Sequence, residues 1–476
     1  MSLAYYVGKF FNSNHFTLTL AVTLLIFSLL KYLKFPTVRR PKRLILGLIL
    51  FGIVLRVLWL SYSSHTPQFS WNPKHMLEND LINLHAIDLT RGVWFVDDQG
   101  LPSGRRPIGY PLFLGLLYKV FGVHLWVSRV SNLALFAAAA VLIYQIARSI
   151  FSRRVGALAV FLYSIDPTSI YSVALITDEH LFLPVWYLGL WLLLRQTQGK
   201  APRTALLWYG IIFGYATMIR THPIFMPLVV AWCYGLMRKS LRETVSAFVV
   251  VLFVMQLVNL PWVLRNYRAW GQPVLYTATA GYLYSQFNSS ASPEGGGHIP
   301  SKGEEGYSEK LEAAARSGNP AVFHSAANAE MMRWMRTHPK AALSLGVKRL
   351  IVFMGWNRSG LWPTWFQFYE GSYDPARPIS SERKAFFEEL AYAFYYSVLF
   401  SFIFSLFYFG RRWKTFPPAA RVGILTLGAC FFFWFLEHLV IYPDRKYRFP
   451  LEPLMIVSAC VFFDHVIFRF RWKRLC

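Results

Sequence analysis

Apolar residues in this chain gather in runs of about 20, the length that crosses the hydrocarbon core of a bilayer. The runs fall at roughly 15–34, 43–62, 124–147, 155–176, 180–195, 204–219, 223–238, 244–264, 389–410, 420–442 and 451–470. Several are shorter than a full span, but each is bounded by charged or turn-forming residues. The pattern predicts an all-α polytopic membrane protein with about eleven transmembrane helices. The first run ends in Lys31 and Lys34, and no small-residue cleavage site follows. It therefore reads as a membrane helix rather than a signal peptide.

Between the runs lie the basic clusters: Arg39 to Arg43, Arg148 to Arg154, Arg195 to Arg203, Arg238 to Arg242, and Arg411 to Lys414, with Arg469 to Arg474 at the end of the chain. Placed in the cytoplasm, they put the N-terminus outside and the C-terminus inside. Two long segments, 63–123 and 265–388, then fall outside, as do the short ones at 177–179, 220–222 and 443–450. The chain divides into an extra N-terminal helix with its linker (1–42), a transmembrane module with the first outer loop (43–264), a large outer loop (265–388) and the C-terminal helices (389–476). Within the outer loops, 107–121 is too short to span and reads as an interfacial helix. The part 288–320 is rich in Gly, Ser and Glu, and 321–356 reads as helical.

Composition narrows the class. The chain of 476 residues is 55% hydrophobic, 18% aromatic and only 15% charged, with a mean hydropathy of +0.35. That excludes an ordinary soluble protein of this length. The net charge of +25 follows the loops between spans, so it reports topology and does not point to nucleic acid. The four cysteines, Cys233, Cys430, Cys460 and Cys476, contain no paired spacing, so neither a disulfide nor a cysteine-held metal is expected.

Sorting the polar residues by topology puts most of the chemistry on one side. Glu78, Asp80 and His85 lie in the first outer loop, followed by Arg105, Arg106 and Tyr110. Asp178, Glu179 and His180 interrupt two apolar runs in "ALITDEHLFLPVW". Arg220, His222, Arg265, Asn266, Glu437, His438, Asp444, Arg445, Lys446 and Arg448 lie at the same face. Ionisable groups at membrane depth are costly and are kept mostly for function. Arg56, Asp464 and His465 are exceptions, within the second and last runs. His75, His85, His298, His324 and His338 read as solvent-exposed. Carboxylates can deprotonate a hydroxyl, and arginines can grip a phosphate. An apolar groove between spans can hold a lipid tail. Together these suit group transfer from a lipid-linked phosphate to a hydroxyl. The cytosolic segments are too short for a nucleotide-sugar domain, and no phosphate-binding loop or HExxH is present. A transporter or flippase for an anionic lipid-linked substrate is the alternative; it predicts internal repeats, and none is visible. A non-catalytic partner that binds lipid-linked sugars is a third class.

Five segments, in order, resemble the membrane glycosyltransferases related to dolichyl-phosphate-mannose protein mannosyltransferases, the GT-C superfamily, whose bacterial branch includes the lipid A aminoarabinose transferases. They are "ENDLINLHAIDLTRG" from Glu78, "RPIGYPLFLGLLYKVFG" from Arg106, the "TDEHLF" stretch, "PWVLRNYRAWG" from Pro261 and "KYRFPLEP" from Lys446. The resemblance covers about 43–470. It implies a bundle whose outer-face loops form a cap over the active site. It also implies a polyprenyl-phosphate sugar donor, a hydroxyl acceptor and inversion at the sugar carbon.

By the same resemblance, the first-loop acid is the general base. Spacing from Ala86 and Gly92 points to Glu78; residue type points to Asp80, since the family usually has Asp. Both stand as candidates. The family's Tyr four residues on is Ile82 here. Glu179 matches the acid of the third motif, with Asp178 and His180 beside it as substrate-binding candidates. Arg265 and Arg448 match basic residues that could hold the phosphate. Arg106, Tyr110, Arg220, Asn266 and Lys446 complete the expected substrate-binding set. No cofactor is required, although Asp178 and Glu179 are of a type that could take a divalent cation. The implied home is a bacterial inner membrane, with the site on the periplasmic side.

Overall fold

Each predicted apolar run carries a helix in the computed structural model. It describes residues 14–32, 41–64, 79–96, 102–104, 106–199, 204–278, 301–304, 307–355, 381–441 and 445–468. The helices are α1 (Asn14–Tyr32), α2 (Pro41–Ser64), α3 (Asn79–Thr90), α4 (Gly109–Phe121), α5 (Leu125–Ile150), α6 (Arg153–Ile165), α7 (Pro167–Ser172), α8 (Glu179–Gln196), α9 (Ala205–Ile219), α10 (Met226–Arg238) and α11 (Leu241–Trp270). After them come α12 (Glu309–Arg316), α13 (Pro320–Thr337), α14 (Pro339–Phe353), α15 (Ser381–Arg412), α16 (Pro418–His438) and α17 (Glu452–Phe468). Among the described residues the only β feature is an isolated bridge, Val96 to Pro102. The protein is an all-α, multi-pass integral membrane protein. Among the described residues, five helical stretches are long and apolar enough to cross a bilayer alone: Lys42–Ser63, Leu125–Ile150, Leu241–Trp270, Ala385–Thr415 and Pro418–His438.

Local chemistry sets the boundaries. The run at 155–176 is broken in two because Pro167 has no N–H to continue the ladder. Asp166 turns this into a new start, accepting from the Thr168 N–H at 3.1 Å. Ser152 and Ser240 cap α6 and α11 in the same way. Gly271 ends α11 at φ 70, a left-handed conformation that side chains resist.

Packing places α8 against α5 and α9, α11 against α9 and α10, and α15 against α1 and α17. Small residues let the helices close. A Cβ on Gly210 would sit 2.4 Å from Val254, and one on Gly109 would sit 2.7 Å from the Met218 backbone. In lipid, close approach of this kind replaces the missing hydrophobic drive between helices. The second contact fixes the start of α4 to the end of α9.

Two of the three exceptional charges find their places here. Arg56 is wholly buried inside the bundle. It donates to the carbonyls of Gly52, Ser164 and Tyr163 and to the Ser169 hydroxyl, and lies 3.4 Å from the centre of the Phe136 ring. Asp464 lies 3.6 Å from Arg154, at the basic ends of α17 and α6. The cysteines at 233, 430 and 460 are free and buried. Gln198, just past α8, donates to the Ser149 carbonyl at the end of α5, while Asp178, Glu179 and Arg220 meet at the other ends of α8 and α9. The segment read as an interfacial helix is α4, and 321–356 holds α13 and α14. Residues 288–300 and 305–306 lie outside the described residues; α12 falls within the rest of 288–320.

Candidate functional site

The "TDEH" turn is built from below. Asn132 of α5 donates to the carbonyls of Val173 (3.1 Å) and Leu175 (2.9 Å), pinning the irregular segment after α7. His180 Nε2 sits 2.9 Å from the Ser172 carbonyl. The turn is thereby held with Asp178 at the edge and Glu179 buried at the start of α8. Arg220, just past the end of α9, is the shared partner. It donates to Asp178 at 3.0 Å and makes a close ion pair with Glu179. The Thr177 hydroxyl donates to the other Glu179 oxygen.

Around this triad stand further cations and one aromatic ring. The Arg220 guanidinium lies 5.1 Å from the centre of the Tyr447 ring, and Lys446 Nζ lies 5.4 Å from the same ring. Lys446 and Arg106 both act electrostatically on Asp178. Burial works against the Asp178 charge, but Arg220 outweighs it and holds the carboxyl below the usual range. Burial pushes Glu179 up to about 8, against the pull of Arg220 and with a further rise from its neighbour Asp178. One guanidinium serves two carboxylates, so one of them gives way. Tyr110, wholly buried at the start of α4, is also raised, by burial and by the same acids.

A pH dependence follows. Folded Glu179 keeps its proton across a range where the unfolded chain has lost it. Its share of stability therefore falls as pH rises from about 4.5 to about 8. Asp178, held low, contributes stability that is full above its ordinary value and is lost as pH drops below that value through its lowered folded one. The thermal midpoint in detergent should decline from pH 5 to pH 8, and Glu179→Gln should flatten the decline.

Arg265, Asn266 and Arg448 each have partners of their own. Arg265 of α11 donates to the carbonyls of Ser103 (2.9 Å) and Phe95 (2.7 Å). It thus clips the end of the first loop to the bundle. Its neighbour Asn266 is buried and donates to the Val274 carbonyl at 2.9 Å. Arg448 is buried, donating to Glu452 at 2.9 Å and to the Phe353 carbonyl at 2.6 Å, with its guanidinium 3.8 Å from the centre of the Tyr395 ring. Burial lowers its basicity, but Tyr395 and Glu452 reverse this and leave it raised. Glu78 lies outside the described residues, as do Arg105 and Asp444. Asp80 is in the first turn of α3, and only its backbone is described. That helix docks on α4 through the Tyr118 hydroxyl, which donates to Asn83 at 2.8 Å.

His85 corrects one expectation. It is 1% exposed, its ring centre is 4.5 Å from that of Phe95, and burial with Arg265 and Arg106 nearby pushes its pKa down to about 4. The loop segment around Phe95 folds back over it, which helical spacing alone does not reveal. His338 is exposed and His324 half-buried; His75 and His298 lie outside the described residues. Sequence reasoning also passed over Tyr447, which stands between Arg220 and His222; its only signal was its position inside the "KYRFP" stretch. The cation considered for Asp178 and Glu179 does not suit them. Both face Arg220, and among the described residues no group of three or more His, Cys, Asp or Glu could hold a metal.

Residues 105–263 match the family described as dolichyl-phosphate-mannose-protein mannosyltransferase. No curated protein is significantly similar to the chain. Among solved structures, the apo form of the Archaeoglobus fulgidus oligosaccharyltransferase is similar at 12% identity with a TM-score of 0.50, covering 90% of this chain and 51% of that one. The same enzyme with Zn and sulfate gives 13% identity and 0.49, covering 90% and 50%. Its complex with an inhibitory peptide and a dolichol-phosphate gives 10% and 0.47, covering 89% and 50%. The chain therefore spans about half the length of these structures, and the likeness is one of fold.

Proposed function

We propose that this chain, a membrane glycosyltransferase of the dolichyl-phosphate-mannose protein mannosyltransferase (GT-C) superfamily, moves a sugar from a polyprenyl-phosphate donor to a hydroxyl acceptor at the outer face of the membrane. The observation that carries the reading is the convergence of Asp178, Glu179, Arg220, Lys446 and Arg106 at the end of the bundle opposite its basic clusters. Cations there suit a lipid phosphate, and carboxylates suit the hydroxyls of a sugar.

In the proposed step a first-loop carboxylate, Glu78 or Asp80, takes the acceptor hydroxyl proton. The oxygen attacks the anomeric carbon from the face opposite the phosphate. The bond from that carbon to the phosphate oxygen breaks with inversion, and polyprenyl phosphate leaves. Lys446 and Arg106 stabilise the negative charge that grows on the departing phosphate. Asp178 and Glu179, held by Arg220, orient the sugar. Arg265 and Asn266 position the loop that brings the base, and Arg448 fixes the segment that carries Lys446. The setting is a bacterial inner membrane, with the site facing the periplasm.

Purified protein in lipid discs, given a panel of polyprenyl-phosphate sugars and crude membrane lipid, should release polyprenyl phosphate from at least one donor. Lys446→Gln should lower that release at least tenfold. No release from any donor would overturn the proposal.

A further inference from the structure

Beside the triad lies a second acidic position that the proposed chemistry leaves unused. Glu437, in the last turn of α16, is 6% exposed. Its Oε1 is 2.9 Å from His222 Nδ1. Its Oε2 is buried with no hydrogen-bond partner among the described residues. An unmet carboxylate oxygen at this depth costs free energy unless a donor reaches it. The His222 ring is in turn enclosed, with ring centres 4.7 Å from Trp434 and 5.2 Å from Tyr447. Tyr447 is the ring that the Arg220 guanidinium faces, so Glu437 is linked to the triad through two aromatic layers.

Glu437 also lines a groove of about 540 Å³ between α14 and the end of α16. The rest of the lining is apolar, including Phe225, Ala342, Leu343, Leu436 and Val440. Leu343 is 65% exposed, and Leu436 and Phe432 are exposed on α16, a helix long and apolar enough to cross the bilayer. The groove therefore continues the lipid-facing side of a span and ends at a carboxylate.

We infer that this groove binds the lipid acceptor, an aliphatic chain whose hydroxyl end donates to the Glu437 carboxylate. The choice rests on charge. The donor lipid ends in a phosphate, which a carboxylate in an apolar groove repels, and the cations that suit a phosphate gather around Tyr447 and Asp178. A hydroxyl head supplies the missing donor, and a chain supplies apolar surface that the groove buries at about 25 cal/mol per Å². The inference takes the acceptor from the proposed transfer reaction, but the binding it describes can be measured without that reaction.

The test uses long-chain probes that carry a diazirine on the chain and differ only in their head: a primary alcohol, a carboxylate or a phosphate monoester. Each is photolysed with the full-length protein in lipid discs, and the labelled peptides are mapped. The alcohol should label 335–346 and 436–441 at least tenfold more than either anion. Leu343→Trp, which fills the groove, should remove this labelling, and Glu437→Gln should let the anionic probes label as well as the alcohol. Equal labelling by all three heads in the unaltered protein, or alcohol labelling elsewhere, overturns the inference. Because labelling needs no turnover, loss of the transfer reading would show as absent polyprenyl phosphate release with labelling intact.

Discussion

Arg220→Met should destabilise the protein by about 3–5 kcal/mol, the cost of leaving buried charge without its partner. The reason lies in the ratio of charges. Arg220 is 5% exposed on its side chain and serves both Asp178 and Glu179. Removing it strands the Asp178 charge, beside a buried Glu179, in a turn whose backbone is already fixed by Asn132. Neutralising them should reverse the loss. The triple variant Asp178→Asn, Glu179→Gln, Arg220→Met should recover most of the thermal midpoint in detergent, since uncharged groups of similar shape carry no such penalty. Activity should not return in the triple variant, because the same acids are proposed to orient the sugar. Arg220→Lys should fall between, as a single ammonium cannot span both acids as a planar fork does. A thermal midpoint within 1 °C of the parent for Arg220→Met would show that the triad does not hold the turn.

The helices were legible because the apolar runs and their breakers obey strong local rules. Pro167 restarts a helix and Gly271 ends one by such rules. Sorting charges by side of the membrane also found the end of the bundle where Asp178, Glu179, Arg220 and Lys446 meet. Partnership was not legible. Arg220, Arg265 and Arg448 look alike in sequence, each an arginine near an outer boundary. In the fold Arg220 balances two acids, Arg265 holds loop carbonyls, and Arg448 is paired to Glu452. What separates them is which segment comes back to meet each one, and that depends on contacts across 42, 162 and 95 positions. His85 was misjudged for the same reason: its burial depends on where the chain around Phe95 returns, not on its own helix.

The largest effect on activity should come from the first-loop acid. Glu78→Gln and Asp80→Asn remove one candidate base each with little change in size. General-base catalysis is worth about 10²–10⁴-fold, so one of the two should lower kcat by that range while the other stays near the parent. The KM for the donor should change little, because a base acts in the transition state and not in donor binding. The helix α3 that begins at this point is docked on α4, and α4 is fixed to α9 at Gly109. The helix α3 is thereby tied to the element that delivers Arg220, and the thermal midpoint should hold in both variants. If both variants turn over like the parent, the base lies in the turn instead. Glu179 is then the better choice than Asp178. Its pKa near 8 makes it the stronger base once it has lost its proton, whereas Arg220 keeps Asp178 a weak one. Activity would then rise with pH through about 8, and Glu179→Gln would abolish it.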